Sequence, residues 1–121
     1  MKLTPEQLVA KIVKLLDSKQ AVDIAAMKIS DLTTIGDYFV VASGNSNAQV
    51  KALAEEVEDG LSKLGIEPKK VEGTQSALWI LMDYYDVIVH IFYKETREFY
   101  SIERLWSDAP KVDIEEILKA E

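Results

Sequence analysis

The chain has 121 residues, 48% of them hydrophobic, which is one domain's worth of core and leaves no room for a second domain. Cysteine is absent, which excludes disulfides, thiolate nucleophiles and cysteine-based zinc sites together and fits a reducing compartment. Fourteen Lys and Arg against 21 Asp and Glu give a formal net charge of −7. That field repels phosphate backbones and favours a basic protein partner over direct nucleic-acid binding, or serves solubility alone.

Met1 to Pro5 runs directly into a helix signal, without the basic, apolar and small-residue segments of a leader. Apolar runs such as Val87-Ile88-Val89 are short and interrupted, here by His90. They are far below the roughly 20 residues needed to cross a bilayer, so no membrane partner is expected and the reading is cytoplasmic. Thr4 is the predicted N-cap of a helix over 5–18, with Pro5 in the first helical position and Gln7 completing a capping box. Leu8, Ile12, Leu15 and Leu16 form its apolar stripe. Residues 22–29 alternate like a strand, with Val22, Ile24 and Ala26 on one side, and a polar loop follows. Residues 38–42 are apolar on both parities, as in a central strand covered on both faces. Ser46 then caps a second helix with Gln49 as a capping-box partner. Its stripe is Val50, Leu53, Val57, Leu61 and Leu64, and Gly65 ends it.

Lys70 to Glu72 reads as a short strand, and 78–82 and 87–93 as the two strongest strands, separated by Asp83-Tyr84-Tyr85-Asp86. Residues 96–100 suit a short helix, and 111–121 form an acidic tail, docked as a helix or frayed. The order is αββαβββα with an extra C-terminal helix: an α/β (α+β-like) domain with a mixed sheet of about five strands and packed helices.

The hairpin carries the functional argument. With Tyr84 and Tyr85 as the central turn residues, Asp83 faces Asp86, Leu81 faces Ile88 and Trp79 faces His90, with Phe92 on the same face. Leu78, Ile80, Met82, Val87, Val89 and Ile91 make the opposite, core face. The first face is rich in the aromatic anchors that carry binding energy, unless a C-terminal segment folds over it as a second core layer. Asp83 and Asp86 are common turn residues, but two like charges set opposite each other invite a basic partner.

Several segments in register resemble the ribosomal silencing factors of the Iojap/RsfS family: 37–46, Gln49-Val50, Glu72-Gly73, Trp79 to Tyr84, Asp86 to Phe92, Arg97 to Tyr100, and Leu105 to Ala109. The resemblance spans about Leu8 to Ala109, which sets a silencing-factor domain over 1–110 and leaves the tail 111–121 outside the pattern. It implies a nucleotidyltransferase-like fold, a homodimer when free, and a repressor that docks on the large ribosomal subunit. The partner would be a basic ribosomal protein at the subunit interface, where the bound domain blocks joining of the small subunit. Together with the hairpin argument it gives a partner-binding set of Trp79, Leu81, Asp83, Tyr84, Asp86, His90, Tyr100 and Trp106, with no cofactor. The family's pattern has Gly where this chain has Tyr85, a departure at the turn itself.

Two other classes compete. A nucleotidyltransferase-like enzyme needs paired carboxylates for metal ions, usually D-x-D on a strand; Asp83 and Asp86 are spaced D-x-x-D across a turn with no obvious third. Ser43-Gly44-Asn45-Ser46 could approach a phosphate at a helix N-terminus, but suits a capped strand-to-helix loop better, and His90 suits a packed histidine better than a general base. A dimerisation module would bury the Trp79 face against its own copy, but a self-complementary patch needs nearby cations to meet Asp83 and Asp86.

Overall fold

The computed structural model describes residues 3–119, apart from the side chain of Tyr100; Met1 and Lys2, which open the direct run into the first helix, lie outside the described residues. Helix α1 (Pro5–Ser18) begins as its sequence dictates. The Thr4 hydroxyl accepts from the Gln7 backbone N–H at 3.1 Å, and the Gln7 side chain accepts from the Thr4 N–H at 3.0 Å. Leu8, Val9, Ile12, Val13 and Leu16 are its buried stripe, with Leu15 at the margin. Strand β1 (Val22–Lys28) follows, with a bulge between Val22 and Ala25 and Asp23 at φ +50°. Strand β2 (Tyr38–Gly44) is buried throughout, as its double-parity apolarity requires.

Helix α2 (Asn47–Ser62) is capped by the Ser46 hydroxyl, which accepts from the Gln49 N–H at 3.1 Å. The expected capping box is not reciprocal. Gln49 reaches one residue further back, its Oε1 accepting from the Asn45 N–H at 2.7 Å. Gly65, at φ +78°, sits in the turn that closes this end, where the Ile66 N–H returns to the Leu61 carbonyl at 2.9 Å. Leu64 therefore does not extend the helix stripe; the helix has ended and the side chain is exposed.

Strands β3 (Lys70–Glu72), β4 (Trp79–Asp83) and β5 (Val87–Tyr93) complete a five-stranded mixed sheet of order β1-β2-β5-β4-β3. Only β2 and β5 pair in parallel; the remaining neighbours are antiparallel. Helices α3 (Lys94–Tyr100) and α4 (Ile102–Leu105) follow, joined by Ser101 at φ +50°. Residues 111–119 of the tail form a docked element, with 120 and 121 outside the described residues: the Val112 N–H bonds the Ala26 carbonyl at 2.9 Å, and α5 (Ile114–Lys119) sets Ile114, Ile117 and Leu118 against the core beside α1.

The sheet thus has two covered faces. Tyr38, Val40, Ala42, Ile80, Met82, Val87, Val89 and Ile91 pack beneath α1 and α2. On the other face, Met27, Ile29, Phe39, Val41, Ile88 and Phe92 meet Ile102 and Ala109, with Trp79, Leu81 and Trp106 around them. The C-terminal segment 102–109 therefore folds back and makes the hairpin's second face a second core layer over much of its area.

Candidate functional site

The hairpin's register is Trp79 opposite Phe92, Leu81 opposite His90 and Asp83 opposite Ile88. It is displaced by two residues from the predicted pairing, and Asp86 does not face Asp83. Because the side-chain period of a strand is two, an even displacement keeps every strand residue on its predicted face. The displacement comes from the turn. The Tyr84 N–H bonds the Val87 carbonyl at 2.9 Å, so the central residues are Tyr85 and Asp86 rather than Tyr84 and Tyr85. Tyr85 lies at φ +72°, and the Asp86 N–H returns to the Tyr84 carbonyl at 2.9 Å, a γ-turn geometry. The Asp83 carboxylate braces it, Oδ1 accepting from the Tyr85 N–H at 2.8 Å.

This placement revises one member of the candidate set, Tyr84, and one residue assigned to the core face, Leu78. Tyr84 does not project from the turn: it continues the strand's alternation into the α1–α2 core and is 3% exposed. The projecting tyrosine is Tyr85, 62% exposed. Leu78 is likewise not on the core face; it precedes β4 and is exposed. Tyr100 ends α3, with a side chain outside the described residues.

Trp79, Leu81, His90 and Trp106 are brought together, with Phe39 and Phe92 completing an aromatic cluster. The Trp79 ring stacks on Phe92 at 5.0 Å and 27°, and Phe39 meets His90 edge-on at 4.6 Å and Trp106 edge-on at 5.3 Å. Trp79, Leu81 and Trp106 are half-buried, whereas His90 is 4% exposed. The Trp79 indole N–H donates to His90 Nδ1 at 3.1 Å. Since Nδ1 accepts, the neutral imidazole carries its proton on Nε2, which has no hydrogen-bond partner. Burial among rings pulls the His90 pKa down to about 4, so the imidazole is neutral at pH 7. A neutral acceptor is what the indole donor requires. His90 therefore acts on the surface through Trp79, fixing the plane of a half-exposed ring.

The cover over this face has its own anchor, which sequence reasoning did not find. Arg97 makes a bidentate pair with Glu103, 2.9 and 2.8 Å, and its Nη1 donates to the Ser43 hydroxyl at 2.9 Å and the Asp23 carbonyl at 2.6 Å. That guanidinium holds the Glu103 carboxyl below the usual carboxylate range. It ties α3 and α4 to the ends of β1 and β2. Nothing in the spacing of Asp23, Ser43, Arg97 and Glu103 announces this meeting, which the parallel β2–β5 pairing creates. Phe39 was missed for the same reason.

Asp83 is half-buried with its carboxylate engaged at the turn, and Asp86 is exposed. Among the described residues no group of three or more His, Asp or Glu side chains is placed to hold a metal ion, so no third ligand joins this pair. No helix among the described residues is long and apolar enough to cross a membrane.

Fold and site together define a mixed-sheet α/β domain with one aromatic, acid-edged face. The family model described as "Ribosomal silencing factor during starvation" matches residues 2–121. The chain is 43% identical to the ribosomal silencing factor RsfS of Bacillus subtilis over 99 residues, 82% of this chain and 84% of that one. The crystal structure of protein CV0518 from Chromobacterium violaceum superposes with a TM-score of 0.85 at 34% identity, covering 87% of this chain and 88% of that one. A more distant mouse relative is 29% identical over 79% of this chain and 43% of its own; it is called mitochondrial assembly of ribosomal large subunit protein 1. The chain belongs to the ribosomal silencing factor family.

Proposed function

We propose that this protein is a translation repressor that binds the large ribosomal subunit through a basic ribosomal protein at the subunit interface and blocks joining of the small subunit. Membership of a family named for ribosomal silencing supports a ribosomal role, and the mouse relative's name points to the large subunit. The observation that carries the docking surface is the Trp79 indole, half-exposed and held in plane by His90, with Leu81 and Trp106 beside it. A rigid aromatic anchor loses little conformational entropy on binding.

Asp83 and Asp86 at the adjacent turn, on a chain of net charge −7, suit a partner that brings Lys and Arg. Repression is steric: a folded domain seated at the interface denies space to the other subunit, and no bond is made or broken. When free, the protein pairs with a second copy in the cytoplasm. Salt-dependent binding to purified large subunits tests the charge argument. Asp86→Lys is the informative variant because the Asp86 side chain is exposed, whereas Asp83 also braces the turn. The variant should slow association and flatten the salt dependence; binding indifferent to both salt and the substitution contradicts the reading.

A further inference from the structure

Strand β1 is an edge of the sheet, and residues 102–119 wrap around it. On one face, 102–109 lie over Met27, Ile29, Phe39, Val41, Ile88 and Phe92. At the edge, the Lys28 N–H donates to the Pro110 carbonyl at 2.8 Å and the Val112 N–H to the Ala26 carbonyl at 2.9 Å, with Lys111 opposite Met27. On the other face, α5 lies beside α1. The segment therefore grips the sheet from both sides.

Little of this grip is burial. Among the described residues of 102–119 only Ile102 and Ala109 are buried, and alanine contributes a single methyl group. Helices α4 and α5, four and six residues long, are too short to hold themselves. The segment leaves α3 at Ser101, whose φ of +50° makes a left-handed corner between two helices. One ion pair spans that corner. Arg97 lies before it and also bonds the Ser43 hydroxyl and the Asp23 carbonyl, so it stays with the sheet; Glu103 lies after it and reaches back to Arg97. We propose that residues 102–119 are a hinged clip: they swing about Ser101 as one unit, latched by Glu103 on Arg97 and strapped along β1, and open before the sheet unfolds. Elements with few buried contacts occupy the low-stability end of a fold. Opening carries Trp106 away from Phe39, so the clip decides whether the aromatic face is assembled. It also uncovers the Ala26 carbonyl and the Lys28 N–H on the edge strand. The inference concerns the free chain and does not rest on ribosomal binding.

Native-state hydrogen exchange of the isolated full-length chain tests it. The amides to follow are Lys28 and Val112, which bond across the edge, and Ala109 and Ile117, which bond within the clip. All four should share one opening free energy, with weak denaturant dependence, and exchange about a hundredfold faster than the slowest amides of β2 and β5. Glu103→Gln keeps Arg97 on Ser43 and Asp23 but weakens the latch, and should speed all four about fivefold. A second variant locks the strap. Met27 and Lys111 are an opposed pair without hydrogen bonds between them, the spacing a disulfide spans, and the native chain has no cysteine to compete. In Met27→Cys with Lys111→Cys, oxidation should slow the four amides at least about tenfold against the reduced form of the same protein, merging them with β2 and β5. Four amides as slow as the sheet, or four with unrelated opening energies, would overturn the proposal. So would Glu103→Gln or oxidation leaving their exchange unchanged. Each result is obtained without ribosomal subunits, so it leaves the repressor reading where it stands.

Discussion

The indole N–H of Trp79 and Nδ1 of His90 meet at 3.1 Å, across a diagonal of the β4–β5 pair rather than between directly opposed residues. Trp79 sits opposite Phe92 and stacks on it; Leu81 is opposite His90. The bond therefore sets the indole's rotation while the stack sets its depth. Each is needed for a half-exposed ring to present the same edge to a partner every time.

Burial of His90 makes the fold sensitive to mild acid. His90 is neutral in the folded protein until about pH 4, whereas an unfolded histidine protonates near 6.5. Between those values the unfolded chain binds more protons, so folding stability is full above about pH 6.5 and falls as pH drops toward 4. The loss reaches about 3 kcal/mol at the bottom of the window. Denaturant melts at several pH values should show that slope in the native protein and its absence in His90→Gln, whose side-chain carbonyl can still accept from the indole.

The Arg97–Glu103 pair acts in a lower window. Its carboxyl is held below its ordinary value of 4.5 by Arg97, so its contribution is present above about pH 4.5 and disappears as pH falls through the depressed value. Arg97→Ala removes the pair and the bonds to Ser43 and Asp23. Because the Arg97 side chain is 12% exposed and that of Glu103 39%, solvent screens part of the loss, and about 2 kcal/mol is expected. Near-ultraviolet circular dichroism of the tryptophans should change with it, because the anchor holds the segment carrying Trp106 over Phe39.

Tyr85 offers the opposite sign. Its φ of +72° lies in the left-handed region, where an L-residue is disfavoured by about 1–2 kcal/mol and glycine is not. Its side chain is largely in solvent, so Tyr85→Gly sacrifices little packing. After the greater chain entropy of glycine is subtracted, stabilisation of about 1 kcal/mol is expected, read as a raised denaturation midpoint with an unchanged slope.

Local rules made much of this fold legible. Thr4, Pro5 and Gln7 state a helix start in neighbouring residues, and the double-parity run at Tyr38 to Ala42 states a central strand. Alternation from Trp79 to Met82 sorted the hairpin faces correctly even though the register was displaced by two. The register was not legible because it depends on Tyr85 accepting a positive φ, which its side chain disfavours. The same displacement sent Tyr84 into the core, because the strand continues one residue further than the turn residues suggest. Leu64 and Leu78 were misplaced where an apolar pattern runs past the end of its element. The aromatic cluster needed Phe39 from β2 and Trp106 from the C-terminal cover, and the clamp needed Asp23, Ser43, Arg97 and Glu103 from distant segments. Such meetings follow from the strand order, which no local pattern encodes.

We propose that this protein keeps ribosomal subunits apart by seating its Trp79 face on the large one. Gradient sedimentation of purified small and large subunits, with and without the protein, tests it most directly. The protein should travel with the large subunit and reduce the joined particles, and folded Trp79→Ala should lose at least about 2 kcal/mol of that binding. Joined particles undiminished at saturating protein, or repression by Trp79→Ala at native affinity, would contradict the account.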